Sequence, residues 1–371
     1  MRVTDLPTPQ VLIDGARLTA NLDRMQGIAN AGGVRLRPHA KTHKSPAIAR
    51  MQVERGAIGI CCAKVGEAEV FASEEITDIR LPYPVHPSNA SRLSRLMDLA
   101  RISIIVDHEA VARAWSEAMR GANRTLDVLV KVDVGFHRCG IDPADSSATG
   151  FIRRVAGLSG LRLLGLLSHA GHVYHASSQE EVKRIAESEA RMLTTLAREA
   201  GVDIAEISVG ATPTAPFSAG LQGLTEIRPG NYVYFDRTQV GLQAARYEDC
   251  ALTVLARVVS RPARDRVILD CGSKTLSSDQ SRGFGPTPGY GVVLRDLESS
   301  EPDDTLLIER LSEEHATVRV VSGDCALEPG NLVRVLPNHS CVVSNLVDCV
   351  RMVDGLTVVD TLPISARGKI A

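Results

Sequence analysis

The sequence has almost no net charge, few aromatic side chains and no long apolar segment. Its 42 lysines and arginines nearly balance 44 aspartates and glutamates, for a formal net charge of −2, and aromatic residues make up 4%. A near-neutral chain has no broad electrostatic field to attract nucleic acid or an anionic membrane surface, which argues against both kinds of partner. Any cluster of like charges must therefore act locally.

A bilayer-spanning segment is also absent, since no apolar run approaches the roughly 18 residues that crossing requires. The first residues, MRVTDLPTPQ, lack the apolar stretch of a signal peptide. The eight cysteines are scattered along 371 residues, apart from the adjacent Cys61 and Cys62, a pattern typical of reduced thiols and not of a disulfide framework. We therefore expect a globular protein of the cytoplasm.

A repeating pattern of strand and helix fills the longer, N-terminal part of the chain. Between residue 10 and about residue 235, short apolar runs alternate with helical patterns, as in QVLID followed by ARLTANLDRMQGIANAGG. About eight such βα units can be counted. Repeated βα units form either an open doubly wound sheet or a closed (β/α)₈ barrel, and the count favours a TIM-type barrel.

The pattern changes near residue 247. Strand-like segments such as ALTVLARVVS, DRVILDCG and HATVRVV follow one another with little helix between them. We predict an α/β fold with a (β/α)₈ barrel over residues 10–246. A C-terminal all-β domain over residues 247–371, which also includes the extreme N-terminus, is expected to follow it.

A cluster of positive charge stands out near the start of the barrel. The segment RLRPHAKTHKS, residues 35–45, places two arginines, two histidines and two lysines at the end of a strand that runs into a helix. Barrel enzymes keep their chemistry at such strand ends. Lys41 would point into the barrel mouth, where neighbouring cations lower the pKa of a lysine and make it a better nucleophile. On position alone a solvated basic patch is the favoured alternative, because runs of charge are usually solvated. The neighbouring cations are Arg37, His39, His43 and Lys44.

Two further strand ends carry polar side chains. KVDVGFHRCG ends a strand in a glycine-bracketed turn that contains His137 and Arg138. SHAGHVYH ends another with three histidines, His172 among them, and with Tyr174. Polar residues at these positions would lie on the working face of a barrel.

Two later strands end in loops that begin with glycine. ISVGATPT and EIRPGNYVYFD could offer backbone N–H groups and hydroxyls to a phosphate monoester. Either loop alone is more typical of an ordinary connection, because turns of glycine and threonine are common. In combination with a lysine and an arginine at other strand ends, the two loops favour a site.

The segment PNHSC places His339 and Cys341 two positions apart. On a strand these side chains would share one face, so both could reach one metal ion. Imidazole with sulfur suits zinc or a similar transition metal. From the residues alone, a buried histidine and a core cysteine are the favoured explanation, because two ligands are too few for a diagnostic metal motif.

An ordered set of motifs resembles one family of enzymes over nearly the whole chain. RPHAKTHK, GICCAKVGEAEVFA, VDVGFHRCG, SVGATPT, RPGNYVYFD, LDCGSKTLSSD and PNHSC together resemble the D-threonine aldolase and D-serine dehydratase family. Its members have the alanine-racemase-type fold, known as fold type III, of pyridoxal-phosphate enzymes. The resemblance implies a barrel holding pyridoxal 5′-phosphate, a C-terminal β domain with a divalent metal, zinc or manganese, and a homodimer.

The resemblance also assigns roles to residues. Lys41 matches the lysine that forms a Schiff base with the cofactor, and Lys44 does not. Arg138 is expected beside the cofactor ring, and Tyr174 is a candidate partner for the pyridine nitrogen. His172 is a candidate base near the substrate hydroxyl, or equally a structural histidine. The phosphate loops are matched by Gly210, Thr212, Gly230 and Asn231, and the metal ligands by His339 and Cys341.

By the same resemblance, the chain is expected to be a lyase of D-β-hydroxy-α-amino acids. We expect retro-aldol cleavage of D-threonine-like substrates to glycine and an aldehyde. Dehydration of D-serine or 3-hydroxyaspartate to a 2-oxo acid and ammonia is the alternative. Cys341 favours it, because aldolase members of the family often carry aspartate there and dehydratase members carry cysteine.

Two other classes of protein share parts of the pattern. A pyridoxal-phosphate carrier without catalysis would have the lysine and the phosphate loops, but it should lack a C-terminal β domain and a metal pair. An enzyme of the alanine racemase type would have both domains but no use for His339 and Cys341. A structural protein is disfavoured, because the unusual polar residues lie at strand ends.

Overall fold

The computed structural model describes residues 1–371. Apolar runs without alternation form the central strands of the N-terminal domain. LDVLVK, for example, is buried at every position, which suits a parallel strand covered on both faces. Eight parallel strands are arranged in the order β2-β9-β8-β7-β6-β5-β4-β3. They are β2 (Arg35–Leu36), β3 (Ile60–Cys61), β4 (Asp78–Pro84), β5 (Arg101–Val106), β6 (Leu126–Lys131), β7 (Leu161–Leu167), β8 (Glu206–Val209) and β9 (Glu226–Ile227).

Backbone hydrogen bonds also join β2 and β3, which are the first and last strands in this order, through the residues beside them. Ile58 N donates to Leu36 O at 3.0 Å, and Cys61 N donates to Pro38 O at 2.8 Å. The strands therefore form a closed ring, and the predicted α/β barrel is confirmed.

Helices follow the strands and cover the outside of the barrel. In the longest, α7, apolar residues recur every three or four positions and are buried, Ser178 caps its start and Gly201 ends it at φ +64°. The helices of this domain are α1 (Gly15–Ala31), α2 (Pro46–Glu54), α3 (Val65–Ser73), α4 (Ala90–Leu96), α5 (Glu109–Gly121), α6 (Ala148–Ala156), α7 (Gln179–Ala200), α8 (Ala215–Ser218) and α9 (Arg237–Gly241). None of the helices combines the length and apolarity that a membrane span needs.

The C-terminal domain is a mostly antiparallel sheet of nine strands. Its main path runs β13-β14-β11-β10-β1-β16-β17, in which β1 is Gln10–Asp14, and β15 pairs with β10 and β12. The strands after the barrel are β10 (Leu252–Ala263), β11 (Arg266–Leu269), β12 (Val292–Val293), β13 (Leu306–Leu311), β14 (Ala316–Val320), β15 (Leu332–Leu336), β16 (Cys349–Asp354) and β17 (Thr357–Pro363). Two short helices, α10 (Ser273–Leu276) and α11 (Ser340–Asn345), interrupt them.

The first strand, β1 (Gln10–Asp14), belongs to this second sheet and not to the barrel. It pairs antiparallel with β10 and parallel with β16. The barrel was expected to begin at residue 10, but in the structure β1 is not a barrel strand. The two-residue β9 completes the set of eight barrel strands instead. Residues 11–13 of QVLID are all buried, and such an apolar run does not reveal which of two sheets it enters.

The two sheets share one interior. A continuous core of 82 buried apolar residues includes side chains from both the barrel strands and the C-terminal strands. The C-terminal domain is thereby held against the barrel mouth, where a cavity of about 620 Å³ lies.

Candidate active site

A cavity of about 620 Å³ opens at the carboxyl ends of the barrel strands. Barrel loops line most of it, and residues 278–282, His339 and Cys341 of the C-terminal domain complete its wall. This is the face on which barrel enzymes place their chemistry. Nine of the ten residues proposed from the sequence line this cavity: Lys41, Arg138, Tyr174, Gly210, Thr212, Gly230, Asn231, His339 and Cys341.

Lys41 lies in a single 3₁₀ turn, Ala40–Thr42, directly after β2. The His39 imidazole caps this turn, because its Nδ1 accepts a hydrogen bond from Lys41 N at 3.4 Å. The Lys41 ammonium is open to the cavity but surrounded by protein. Burial lowers its pKa, Arg138 and Arg228 lower it further, and Cys341 and Glu67 partly oppose this.

The sequence suggested that four neighbouring cations surround Lys41, and we call them the cationic collar: Arg37, His39, His43 and Lys44. The structure does not bring these four together around Lys41. Arg37 points into the barrel, where it pairs with Glu226 at 2.8 Å, and the buried His43 contacts Gln52 at 3.2 Å. Of the collar residues only His39 lines the cavity with Lys41. Neighbours along a tight turn point in different directions, so sequence proximity did not give spatial proximity.

The two glycine loops form a cradle of backbone N–H groups, which we call the phosphate cradle: Gly210, Ala211, Thr212, Gly230 and Asn231. No protein group in the structure accepts a hydrogen bond from these five N–H groups. Backbone donors without partners are rare in protein interiors, so a ligand with several acceptor oxygens would satisfy them. A phosphate monoester fits that description.

Both cradle glycines are required by close packing. A Cβ on Gly210 would come within 2.9 Å of Arg228 N, and a Cβ on Gly230 would come within 2.9 Å of His39 O. Any side chain would thus displace the backbone that shapes the cradle.

The opposite walls carry Arg138, Tyr174 and His169. The Arg138 guanidinium lies over the Phe136 ring, 5.1 Å from its centroid, and has no carboxylate partner. Burial raises the pKa of Tyr174, which keeps its hydroxyl protonated. His169 Nδ1 lies 2.6 Å from Gly210 O; since a carbonyl only accepts, Nδ1 carries the proton and Nε2 is a free acceptor.

The remaining sequence candidate, His172, does not line the cavity. It is half-buried beside Gly135, and its Nδ1 has no hydrogen-bond partner. The structure therefore separates the histidines of SHAGHVYH: His169 lines the cavity and His172 does not. All three occur between residues 169 and 175, so their order in the sequence did not distinguish them.

His339 and Cys341 are adjacent in space, although not on a strand. β15 ends at Leu336, His339 precedes α11, and Cys341 is in the first turn of that helix. His339 Nδ1 lies 2.7 Å from Asp279 Oδ2. Burial alone would lower the pKa of His339, but Cys341 outweighs it and raises that pKa to about 10. Burial likewise opposes the charged thiolate, and His339 lowers the pKa of Cys341 despite it.

This donor set fits a soft divalent metal. The lowered pKa of Cys341 favours a sulfur ligand, the neutral imidazole of His339 would offer a nitrogen ligand, and a carboxylate on the other imidazole nitrogen is the usual partner of a metal-bound histidine. Asp279, in LDCGSKTLSSD, supplies that carboxylate.

Other cavity residues were not identified from the sequence. Lys131 is buried, and burial lowers its pKa to about 7. Arg228 and Asp236 are buried as well, and Arg282 belongs to a loop of the C-terminal domain. A lysine inside the apolar run LDVLVKV was a usable signal for Lys131. No signal in the sequence pointed to Arg282, because the position of its loop depends on packing between the two domains.

Two family models match the chain, one for each domain. "Alanine racemase, N-terminal domain" matches residues 13–238, and "Putative serine dehydratase domain" matches residues 251–353. The two matches divide the chain where the barrel gives way to the second sheet.

Curated relatives match over almost the full length. A D-threonine aldolase of an Arthrobacter species is 36% identical, over 97% of this chain and 93% of the relative. D-threo-3-hydroxyaspartate dehydratase of Delftia sp. strain HT23 is 34% identical, over 91% of each chain. Two solved mutant structures of D-threo-3-hydroxyaspartate dehydratase are 31% identical, with TM-scores of 0.91 and 0.92; they cover 98% of this chain, and this chain covers 98% and 96% of them.

Proposed function

We propose a reaction for this chain on one premise: it belongs to the alanine-racemase-fold family that contains D-threonine aldolases and D-serine dehydratases. It is a pyridoxal-phosphate-dependent lyase of D-β-hydroxy-α-amino acids. Our first candidate reaction is cleavage of the Cα–Cβ bond in D-threonine-like substrates, which releases glycine and an aldehyde. The full-length similarity to the Arthrobacter aldolase supports it.

One observation carries the proposal. A single cavity contains a lysine with a lowered pKa, a cradle of unpaired N–H groups and a histidine–cysteine pair. A carrier protein without catalysis has no need of the two candidate metal ligands, His339 and Cys341, on the cavity wall. Lys41 and the cradle fit the two ends of a phosphorylated aldehyde.

Pyridoxal 5′-phosphate, when bound, supplies an electron sink for the bond that breaks at the substrate Cα. The phosphate cradle would hold its phosphate, and Lys41 would hold its aldehyde carbon covalently. Arg138 would lie beside the ring oxygen, and Tyr174, protonated at neutral pH, would offer a hydroxyl to the ring.

A divalent metal, when bound, supplies a Lewis acid for a substrate oxygen. His339 and Cys341 would hold it, and Asp279 would orient the His339 ring. Zinc and manganese are both candidates, and the sulfur ligand favours zinc.

Retro-aldol cleavage needs a base for the proton of the β-hydroxyl group, and two imidazoles compete for that role. His172 is the candidate from the sequence, but it does not line the cavity. His169 lines the cavity with Nε2 free to accept a proton, and its pKa is well below the usual value because of burial and nearby Lys41. We therefore expect His169→Asn to slow cleavage more than His172→Asn.

Dehydration is the second candidate, and Cys341 favours it. In D-threo-3-hydroxyaspartate dehydratase, one solved mutant alters a histidine and another a cysteine two positions later, and the cysteine mutant is in the metal-free form. His339 and Cys341 have the same spacing. In this route Lys41 Nζ would take the proton from Cα, and the β-hydroxyl would leave.

Product analysis separates the two reactions. The purified protein is incubated with D-threonine, pyridoxal 5′-phosphate and Mn²⁺ or Zn²⁺. Glycine with acetaldehyde is the expected result. 2-Oxobutyrate with ammonia would overturn the aldolase assignment in favour of the dehydratase, and no product from D-threonine, D-serine or 3-hydroxyaspartate would overturn both.

We further propose a homodimer in the cytoplasm. The homodimer follows the family resemblance, and the location is supported by eight cysteines without a disulfide between them. Light scattering on the eluting protein would test the first point, with twice the chain mass of 39.8 kDa as the expected result.

A further inference from the structure

Lys44, the second lysine of HAKTHK, does not reach the cavity. It is 7% exposed, and its backbone φ is +49°, in the left-handed region that residues with a side chain rarely adopt. If only this backbone conformation mattered, glycine or asparagine would serve better. The Lys44 side chain therefore needs its own explanation.

The Lys44 ammonium joins three segments of the chain. Its Nζ lies 3.1 Å from Glu67 Oε1, in the first turn of α3, and donates to Asn345 Oδ1 at 2.7 Å, at the end of α11. Glu67 is 1% exposed, and its other oxygen accepts from Ala63 N at 2.6 Å. An ion pair that is this deeply buried and supported by further hydrogen bonds holds its partners in one geometry.

The backbone of the same turn is also held by the C-terminal domain. Ser344 Oγ donates to Thr42 O, and Ala366 N donates to Lys44 O at 3.0 Å. Lys44 N donates to Ala40 O at 2.8 Å and closes the turn around Lys41. The turn that presents Lys41 is thus fixed from the barrel and from the second domain.

We propose that Lys44 is a positioning residue. Together with Glu67 and Asn345 it forms a clamp, the Lys44 clamp, that fixes the turn Ala40–Thr42 and so the direction of Lys41. The inference rests on the proposed function, in which a ligand is held by Lys41 at one end and by the phosphate cradle at the other. Both ends engage together only if their separation is fixed, since small misplacements weaken such sites strongly.

Three variants test the clamp. Lys44→Gly suits the left-handed turn but removes the ammonium. Lys44→Met combined with Glu67→Gln removes both charges, so no unpaired charge remains buried. Asn345→Ala removes one contact and keeps the ion pair. Lys274→Met, which breaks only an exposed pair with Glu314, is the control for loss of a lysine.

The readouts are the dissociation constant for pyridoxal 5′-phosphate and the visible circular dichroism of the bound cofactor, with far-ultraviolet circular dichroism to confirm folding. We expect Lys44→Gly and the double variant to bind the cofactor roughly tenfold more weakly, the effect of removing a residue that orients a ligand. The visible circular dichroism of these two variants should fall. Asn345→Ala should lose less affinity and less visible dichroism, and Lys274→Met should match the wild type in both readouts.

Binding within about twofold of the wild type and unchanged visible dichroism in both the glycine and the double variant would overturn the clamp, even if their thermal stability fell. A merely structural ion pair moves stability and leaves both readouts in place. A wild-type protein without visible cofactor absorbance would instead overturn the proposed function.

Discussion

Glu226 is a buried carboxylate between two arginines, at the centre of the barrel. It pairs with Arg37 at 2.8 Å and with Arg80 at 2.5 Å, and it is 0% exposed. Burial alone would raise its pKa, but Arg80 and Arg37 outweigh burial and hold that pKa at about 2.

Replacing Glu226 by glutamine should remove the carboxylate that two buried guanidinium groups share, which leaves Arg37 with Asp78 and Arg80 with Glu206 as the remaining anionic partner. We expect Glu226→Gln to lower the free energy of unfolding by about 3–5 kcal/mol. Chemical denaturation at neutral pH measures this. Asp98→Asn, which breaks an exposed pair with Arg124, is the control and should change stability by no more than ~1 kcal/mol. Equal effects of the two substitutions would contradict the account.

The same residue predicts a pH dependence. Because the pKa of Glu226 is about 2 in the folded protein against 4.5 ordinarily, the unfolded chain binds the proton first. The stabilisation is complete above the ordinary pKa and is lost as the pH falls from there towards 2. About 3 kcal/mol is at stake, and Glu226→Gln should flatten the decline measured over this acidic range.

At the residue scale, sequence reasoning could find reactive side chains at strand ends but not the groups that set their charge. Lys41 was identifiable because a strand end places it in the barrel mouth. The cations close to it proved to be Arg138 and Arg228, and Arg228 comes from the far end of the barrel sequence. Such neighbours depend on closure of the ring, which no local pattern encodes.

At the scale of elements, the phosphate cradle depends on two loops that pack against other backbone. Gly210→Ala would press a methyl group to within 2.9 Å of Arg228 N. We expect it to weaken pyridoxal 5′-phosphate binding by at least about tenfold, because the unpaired N–H groups would move apart. Gly220→Ala, where a methyl group meets nothing within 4 Å, is the matched control. A cofactor titration that found both variants equal to the wild type would refute the cradle.

Whether a segment forms a helix, a strand or a loop was largely predictable from the sequence. Which strands pair with one another in a sheet was not. Glycine-led loops after β8 and β9 could be recognised by residue type. The five-residue QVLID was expected in the barrel, yet β1 lies between β10 and β16. The short β9 took its place as the eighth barrel strand, and a two-residue strand carries almost no periodic signal.

At the scale of the whole molecule, the two domains are interlaced. β1 precedes the barrel in sequence but is an interior strand of the second sheet, paired on both sides. Deleting residues 1–14 should therefore leave β10 and β16 with unpaired edges and abolish the cooperative thermal transition of the C-terminal domain. A truncated chain that unfolds at the wild-type temperature would show that β1 is dispensable.

The central claim is that Lys41 holds the cofactor within this cavity. Its most direct test is to load the protein with pyridoxal 5′-phosphate, reduce it with borohydride, digest it and locate the modified lysine by mass spectrometry. The account predicts one labelled peptide, with the label on Lys41. Label on Lys44 or Lys131, or no labelled lysine in a protein that still cleaves its substrate, would contradict it.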